Sequence, residues 1–183
     1  MKDFPTLETE RLRLRRFELA DAPIVQTLLN DPDVTGNLLE ASLPFSLEDA
    51  CSMITTSHAT FEAGTGWAFA VTRKSNDDLV GYCDIQLQCE HQRGAITYWI
   101  GRPYWWQGYA TEAAKKVVRF GYEQLGLNRI YAYVLQRNTA SAHVLQKAGL
   151  IREGTLRQSI LKAGVFEDVD FYALLREDWL TEG

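Results

Sequence analysis

Between Tyr104 and Glu112 the chain reads Tyr-Trp-Trp-Gln-Gly-Tyr-Ala-Thr-Glu, with small residues at Gly108 and Ala110. The stretch follows an apolar run, Ala95 to Ile100, and opens a helical run from Ala113 to Leu125. A strand that passes through such a turn into a helix start aims several free backbone N–H groups at one point. The helix dipole adds positive potential there, so the chemistry on offer is anion binding. Gly108 and Ala110 are small enough to let a phosphate approach the main chain. A glycine at this junction also serves turn geometry alone, and Trp105 and Trp106 read as packing beneath the turn. Other reactive clusters are sparse. The three histidines (His58, His91, His143) are dispersed, and the three cysteines (Cys51, Cys83, Cys89) have no C-x-x-C spacing. No metal site is expected, and the odd cysteine count fits a reducing compartment.

The elements that would position this turn follow from periodicity and caps. Thr9 to Phe17 reads as a strand whose Leu12 and Leu14 are buried and whose arginines (Arg11, Arg13, Arg15, Arg16) face solvent. Asp21 before Ala22-Pro23 reads as the cap of a helix reaching about Asn30. Asp31 to Leu47 reads as a loop or short helical pieces. Ser46 with Asp49 opens a helix to about Ala63, ended by Gly64-Thr65-Gly66. Strands follow at Trp67–Thr72, Leu79–Gln88 and Gly94–Gly101, the first two joined by a turn at Ser75-Asn76-Asp77-Asp78. A helix over Thr111–Leu125 ends at Gly126. Arg129–Leu135 is apolar at every second position on both sides and is expected to be a central strand. A short helix at Thr139–Ala148 precedes two long strands, Arg152–Leu161 and Val165–Leu175, joined at Lys162-Ala163-Gly164. The order predicts an α+β fold: a mixed, mostly antiparallel sheet flanked by helices. Neither G-x-G-x-x-G nor the P-loop pattern occurs.

The chain has 183 residues and a formal charge of −5, with hydrophobic residues at 46%. That length predicts one domain with a core of its own. The charge gives no polycationic footprint for nucleic acid. No apolar run approaches the roughly 18 residues of a membrane span, and the Met1 to Pro5 start lacks a signal-peptide core. A cytoplasmic protein, monomer or homodimer, is the expectation.

Taken together, several stretches resemble the GNAT superfamily of N-acetyltransferases, especially the branch that acetylates the N-termini of ribosomal proteins. They are Tyr98-Trp99-Ile100, Trp106 to Glu112, Gly126-Leu127-Asn128-Arg129-Ile130, Asn138-Thr139-Ala140-Ser141 and Lys147-Ala148-Gly149-Leu150. Glu153-Gly154, the closing Gly164, Asp168, Tyr172 and Glu177-Asp178-Trp179, and the opening Thr9-Glu10-Arg11-Leu12 fit as well. The resemblance implies acetyl-CoA as acetyl donor, a coenzyme-binding strand that splays from its neighbour, and direct transfer to a primary amine in a ternary complex.

Carried over residue by residue, the pyrophosphate donors would be the backbone N–H groups of Gln107, Gly108, Tyr109, Ala110 and Thr111. Trp105 stands where the family has Gln or Arg. Trp99 and Ile100 would pair with the pantetheine arm as with an added strand, and an N–H there would hold the thioester oxygen. Asn138 reads equally as a helix cap and as a coenzyme contact. The family's proton-donating Tyr is replaced by Leu145, which leaves Ser141 as the candidate acid beside the thiol. The carboxylates that relatives use as base are absent, since Ala95-Ile96-Thr97 and Ile160 stand in those places. Asp84, Glu90, Asp168 and Asp170 remain as candidates. The resemblance points to a protein N-terminal α-amine as acceptor. A small-molecule amine (amino acid, polyamine or antibiotic) and a non-catalytic acyl-CoA-binding module are the alternatives. Phe45, Trp67 and Tyr82 are candidate walls of the acceptor side.

Overall fold

A computed structural model describes residues 3–182. Eight strands form one sheet in the order β1-β2-β3-β4-β5-β6-β8-β7. They are β1 (Leu7–Glu8), β2 (Leu12–Arg16), β3 (Gly66–Arg73), β4 (Leu79–Gln88), β5 (Arg93–Ile100), β6 (Arg129–Leu135), β7 (Ile151–Lys162) and β8 (Val165–Leu175). The helices are α1 (Ala22–Leu29), α2 (Pro32–Thr35), α3 (Leu47–Glu62), α4 (Tyr109–Glu123), α5 (Thr139–Lys147) and α6 (Arg176–Glu182). The expected α+β architecture is present, and every strand pair is antiparallel except β5 with β6.

Strand alternation assigns the two faces of the sheet. Phe69, Val71, Cys83, Ile85, Ile96 and Ile100 point to one side, where α4 covers them with Ala113, Ala114, Val117, Val118 and Phe120. Ala70, Trp99 and the half-buried Tyr82 point to the other, beneath α1 and α3. The α4 pattern repeats at three and four residues, so its apolar stripe is continuous. Burying side chains of this size contributes about 1.5–3 kcal/mol each. The Tyr122 hydroxyl, fully buried, donates to the Leu174 carbonyl at 2.6 Å and ties α4 to β8.

Several boundaries differ from the sequence expectation for physical reasons. Helix α4 begins at Tyr109, two residues early, because Gly108 takes a left-handed conformation (φ 81°) and serves as its N-cap. Asp21 precedes α1, but its carboxylate accepts from the Glu18 N–H and pairs with Arg15 instead of capping that helix. Ser46 and Asp49 form a reciprocal capping box at α3 as the sequence suggests. Strand β6 lies inside the sheet, yet Tyr133 is 45% exposed. On that face Tyr131, Tyr133 and Phe171 cover one another, with ring centroids 5.0–5.8 Å apart.

The β5–β6 ladder is short. It joins Arg93 to Arg129, Gly94 to Ile130 and Ala95 to Tyr131, and then the strands part. Strand β5 stays paired with β4 up to Ile100, and β6 with β8 up to Leu135. The result is a splayed strand pair inside an otherwise continuous sheet.

Gly81 sits opposite Ile100 at the wide end of this opening, and a Cβ there would lie 2.2 Å from the Trp99 carbonyl oxygen. Because that atom is backbone, β4 and β5 would have to shift. Gly81→Ala is expected to cost about 1–3 kcal/mol, read as a lower midpoint in urea or thermal unfolding.

Candidate active site

The splay leaves one edge of β5 without a strand partner. Gly101 donates its N–H to the Val80 carbonyl on β4 at 2.9 Å. Alternation then turns Trp99 and Thr97 toward β4, and turns the N–H groups of Tyr98 and Ile100 into the opening. Of the two residues expected to meet a coenzyme arm, Ile100 thus offers its N–H, while the main chain of Trp99 faces β4. The Trp99 ring stacks on Tyr82 on the α1 and α3 side (centroids 6.1 Å, 4°). The Ile100 carbonyl is taken by the Trp105 indole N–H at 2.6 Å. Trp105 therefore packs under the turn as expected. Trp106, at φ 62° and 90% exposed, does not.

At the turn, the first intrahelical bond of α4 runs from the Glu112 N–H to the Gly108 carbonyl. The N–H groups of Tyr109, Ala110 and Thr111 precede that bond and have no intrahelical acceptor. Gly108 supplies no side-chain cap, and the opposite end of the chain closes over the turn. Arg11 bonds the Gln107 carbonyl at 2.9 Å and pairs with Glu112 at 2.6 Å, and Thr9 donates to the same carboxylate. An open cleft of about 360 Å³ lies here, walled by Glu10, Arg11, Gly108, Thr111, Glu112, Lys115 and Lys147. Arg11, Lys115 and Lys147 outnumber Glu10 and Glu112 by one, so the lining adds a net positive charge to the free N–H groups. The donor set fits a polyanion. Neither lysine was legible from sequence, because their meeting depends on how α5 packs against α4.

Across the opening, Asn138 caps α5 and accepts from the Ser141 N–H at 3.1 Å. The Ser141 hydroxyl lies 2.8 Å from the Tyr98 hydroxyl, which also reaches the Ser141 carbonyl at 3.0 Å. Either hydroxyl can donate to the other, and when Tyr98 donates to the Ser141 Oγ the serine proton is free for another acceptor. Burial raises the Tyr98 phenol above its usual range, so it holds its proton. Tyr98 as partner of Ser141 escaped the sequence reading, since nothing local shows that α5 faces β5. Leu145 is fully buried in the core.

The carboxylates sort clearly. Asp168 accepts from the Gln158 N–H, Asp170 pairs with Arg152 at 2.8 Å, and Glu90 is exposed. Asp84 is 3% exposed, accepts from the Thr97 N–H and from Gln86, each at 2.9 Å, and forms no ion pair among the described residues. Burial pushes its pKa up to about 6, against the hydrogen bonds from Gln86, Tyr82 and Thr97. Burial likewise raises the Cys83 thiol, which removes it as a thiolate nucleophile. Trp67, read as a candidate acceptor wall, packs in the core against Phe61 and Phe120. Tyr82 and Phe45 are half-buried on the α1 and α3 side.

With this geometry in place, the comparisons decide the family. Residues 11–151 match the family model described as an acetyltransferase (GNAT) domain. The chain belongs to the GNAT acetyltransferase family. A relative is the uncharacterized N-acetyltransferase YoaA of Bacillus subtilis (strain 168), 34% identical over 174 residues, covering 94% of this chain and 98% of YoaA. A GNAT acetyltransferase structure from Bacillus anthracis superposes with a TM-score of 0.84 at 28% identity, covering 94% of this chain and 99% of that one. RimL, a ribosomal L7/L12 alpha-N-protein acetyltransferase solved with coenzyme A, shares the fold (TM-score 0.86, 16% identity, 93% and 98% covered). The GNAT chain is accordingly an acyltransferase. Among its described residues no helix is long and apolar enough to cross a membrane.

The raised pKa of Asp84 makes a stability prediction for this GNAT domain. Its folded value, about 6, lies above the 3.8 of an ordinary aspartate, so the folded state binds the proton more tightly. Stability is then lost as pH rises from about 4 through 6, and the penalty is complete above 6. Asp84→Asn lacks that penalty. Relative to the parent it should gain on the order of 2–3 kcal/mol between pH 4 and pH 7, measured by urea unfolding at each pH. A parent–variant difference independent of pH would contradict the assignment.

Proposed function

We propose that this GNAT enzyme transfers an acetyl group to the free α-amine of a protein N-terminus. Acetyl-CoA is the cosubstrate, and transfer occurs directly in a ternary complex, in the cytoplasm. The observation that carries the coenzyme half of the reading is the uncapped start of α4 beside Arg11, Lys115 and Lys147. In this reading the N–H groups of Tyr109, Ala110 and Thr111, with Gln107 and Gly108 at the turn, hold the pyrophosphate. The N–H groups of Tyr98 and Ile100 meet the pantetheine arm along the open edge of β5. Asn138 fixes the start of α5, and Ser141 supplies a proton to sulfur with Tyr98 behind it. Buried Cys83 offers no covalent route, which supports direct attack by the amine.

The acceptor side supports a peptide over a small polycation. Residues 36–46 form a segment of half-buried and exposed residues, pinned by Arg137 to the Gly36 carbonyl (2.8 Å) and by Lys162 to the Ala41 carbonyl (2.9 Å). Two cationic side chains thus brace the segment between α2 and α3 against β7 and the start of α5. RimL, by its description, acts on a protein α-amine.

Isotope-labelled acetyl transfer should occur to short peptides with a free N-terminal Ala or Ser and not to the same peptides blocked at that amine. Transfer confined to spermidine, free amino acids or aminoglycosides would replace the protein acceptor with a small molecule. Lys115→Ala with Lys147→Ala should weaken coenzyme A binding about tenfold or more by calorimetry, and the loss should shrink as salt is raised. Ser141→Ala should lower kcat roughly 10²-fold with little change in coenzyme affinity. An unchanged kcat would remove Ser141 as the acid.

A further inference from the structure

We propose that Asp84 is the group that takes the proton from the attacking amine, an inference that rests on the acetyl-transfer reading above. The first ground is its isolation. Of the buried carboxylates, Asp21 pairs with Arg15 and Asp170 with Arg152, each at 2.8 Å, whereas Asp84 has no cation among the described residues. A buried carboxylate without a countercharge is costly, and an apolar side chain in its place would serve the core better. The surroundings of β4 give this acid two hydrogen bonds but no countercharge.

The second ground is where it sits. Asp84 is the cross-strand partner of Thr97, and the β5–β6 ladder ends two residues earlier, at Ala95. Asp84 is therefore level with the start of the open edge of β5. Its side chain shares a face with Tyr82, Thr97 and Trp99, since paired residues in an antiparallel ladder point the same way. Thr97 is exposed, although Asp84 beside it is buried. The carboxylate thus lies one side chain below solvent, at the mouth of the splay.

The third ground is what holds it. One oxygen accepts from the Thr97 N–H and the other from the Gln86 amide. Each oxygen has a second acceptor site, one of them within reach of the Tyr82 hydroxyl. The titratable neighbours on β4 are Tyr82 and Cys83, both kept neutral by burial. From α3, His58 is engaged with the Phe17 carbonyl at 2.8 Å, and α1 contributes Val25, Leu28 and Leu29 to this side. No positive charge holds the carboxylate as a permanent anion, so it can both accept a proton and release it near neutral pH.

In the proposed step the amine nitrogen bonds to the acetyl carbon and the carbon–sulfur bond breaks. One amine proton passes to Asp84 by way of water admitted beside Thr97, and from there to solvent. The Ser141 hydroxyl proton goes to the departing sulfur, with Tyr98 hydrogen-bonded to the serine oxygen, and solvent then restores the serine proton. Amine and thioester become amide and thiol, with no net oxidation.

The test uses Asp84→Asn, close to isosteric, in two measurements. In the free protein, carbon NMR of labelled aspartates should show one carboxyl titrating near pH 6 that the variant lacks. With an Ala-initiated peptide and acetyl-CoA, the folded variant should lose kcat by about 10²-fold at pH 7, lose the acid limb of the pH profile, and bind coenzyme A as the parent does. A folded variant that keeps its rate and acid limb overturns the role of Asp84 alone, as does an Asp84 carboxyl titrating in the ordinary range. A parent protein that binds coenzyme A yet acetylates no peptide or small amine overturns the transfer reading and this role together.

Discussion

The structure depends on one interruption: the parallel ladder between β5 and β6 stops after three rungs. Such an opening exposes main-chain donors and acceptors that a sheet would normally pair, and each buried group left unpaired costs roughly 1–3 kcal/mol. The fold tolerates it because neither strand relies on the other. Strand β5 has a complete antiparallel partner in β4, and β6 has one in β8. The two halves are rigid before they meet, so the opening has fixed walls. Side chains then settle part of the deficit. Trp105 takes the Ile100 carbonyl, and Tyr98 spans from β5 to the first turn of α5.

The same interruption separates two kinds of electrostatics. On the α4 side the helix start, Arg11, Lys115 and Lys147 gather positive potential. On the α1 and α3 side the sheet buries Asp84, a carboxylate without a countercharge among the described residues. The sheet itself lies between them, thin enough for a ligand threaded through the opening to meet both. In the proposed reading an anionic group is anchored on the α4 face while the amine proton leaves on the other, and the cations near the anchor stay apart from the carboxylate. Glu112 would disturb this division, but its burial against Thr9 and Arg11 absorbs its charge.

Much of this was legible in the sequence because it rests on local rules. The Ser46–Asp49 box, the Leu12/Leu14 alternation and the helical stripe of α4 each depend on near neighbours. The turn from β5 into α4 was legible for the same reason, although its helix starts earlier, since a left-handed Gly108 can cap where a sequence window sees a loop. What stayed hidden depends on contacts across the fold. Lys115 and Lys147 share a cleft only because α5 lies against α4, and Tyr98 meets Ser141 only because β6 delivers α5 to the far side of the opening. The exposure of Tyr133 was likewise invisible, since an alternating aromatic strand reads the same whether or not a helix covers it.

The residues that depart from the family pattern gain a physical explanation from the same geometry. At position 145 a hydroxyl would be sealed in the core, because the α5 backbone there points into the cluster around Val117 and Leu150. Ser141, one turn earlier, faces the opening, and Tyr98 reaches it from the opposite wall. A proton donor can therefore be assembled from two elements where one tyrosine would otherwise serve. Thr97 makes the same argument on the other face. It lacks a carboxylate, but its antiparallel partner Asp84 presents one to the same surface, and the Thr97 N–H itself orients that group. In a sheet, chemistry is specified by face and register, and a functional group can pass to a neighbouring strand without leaving its site.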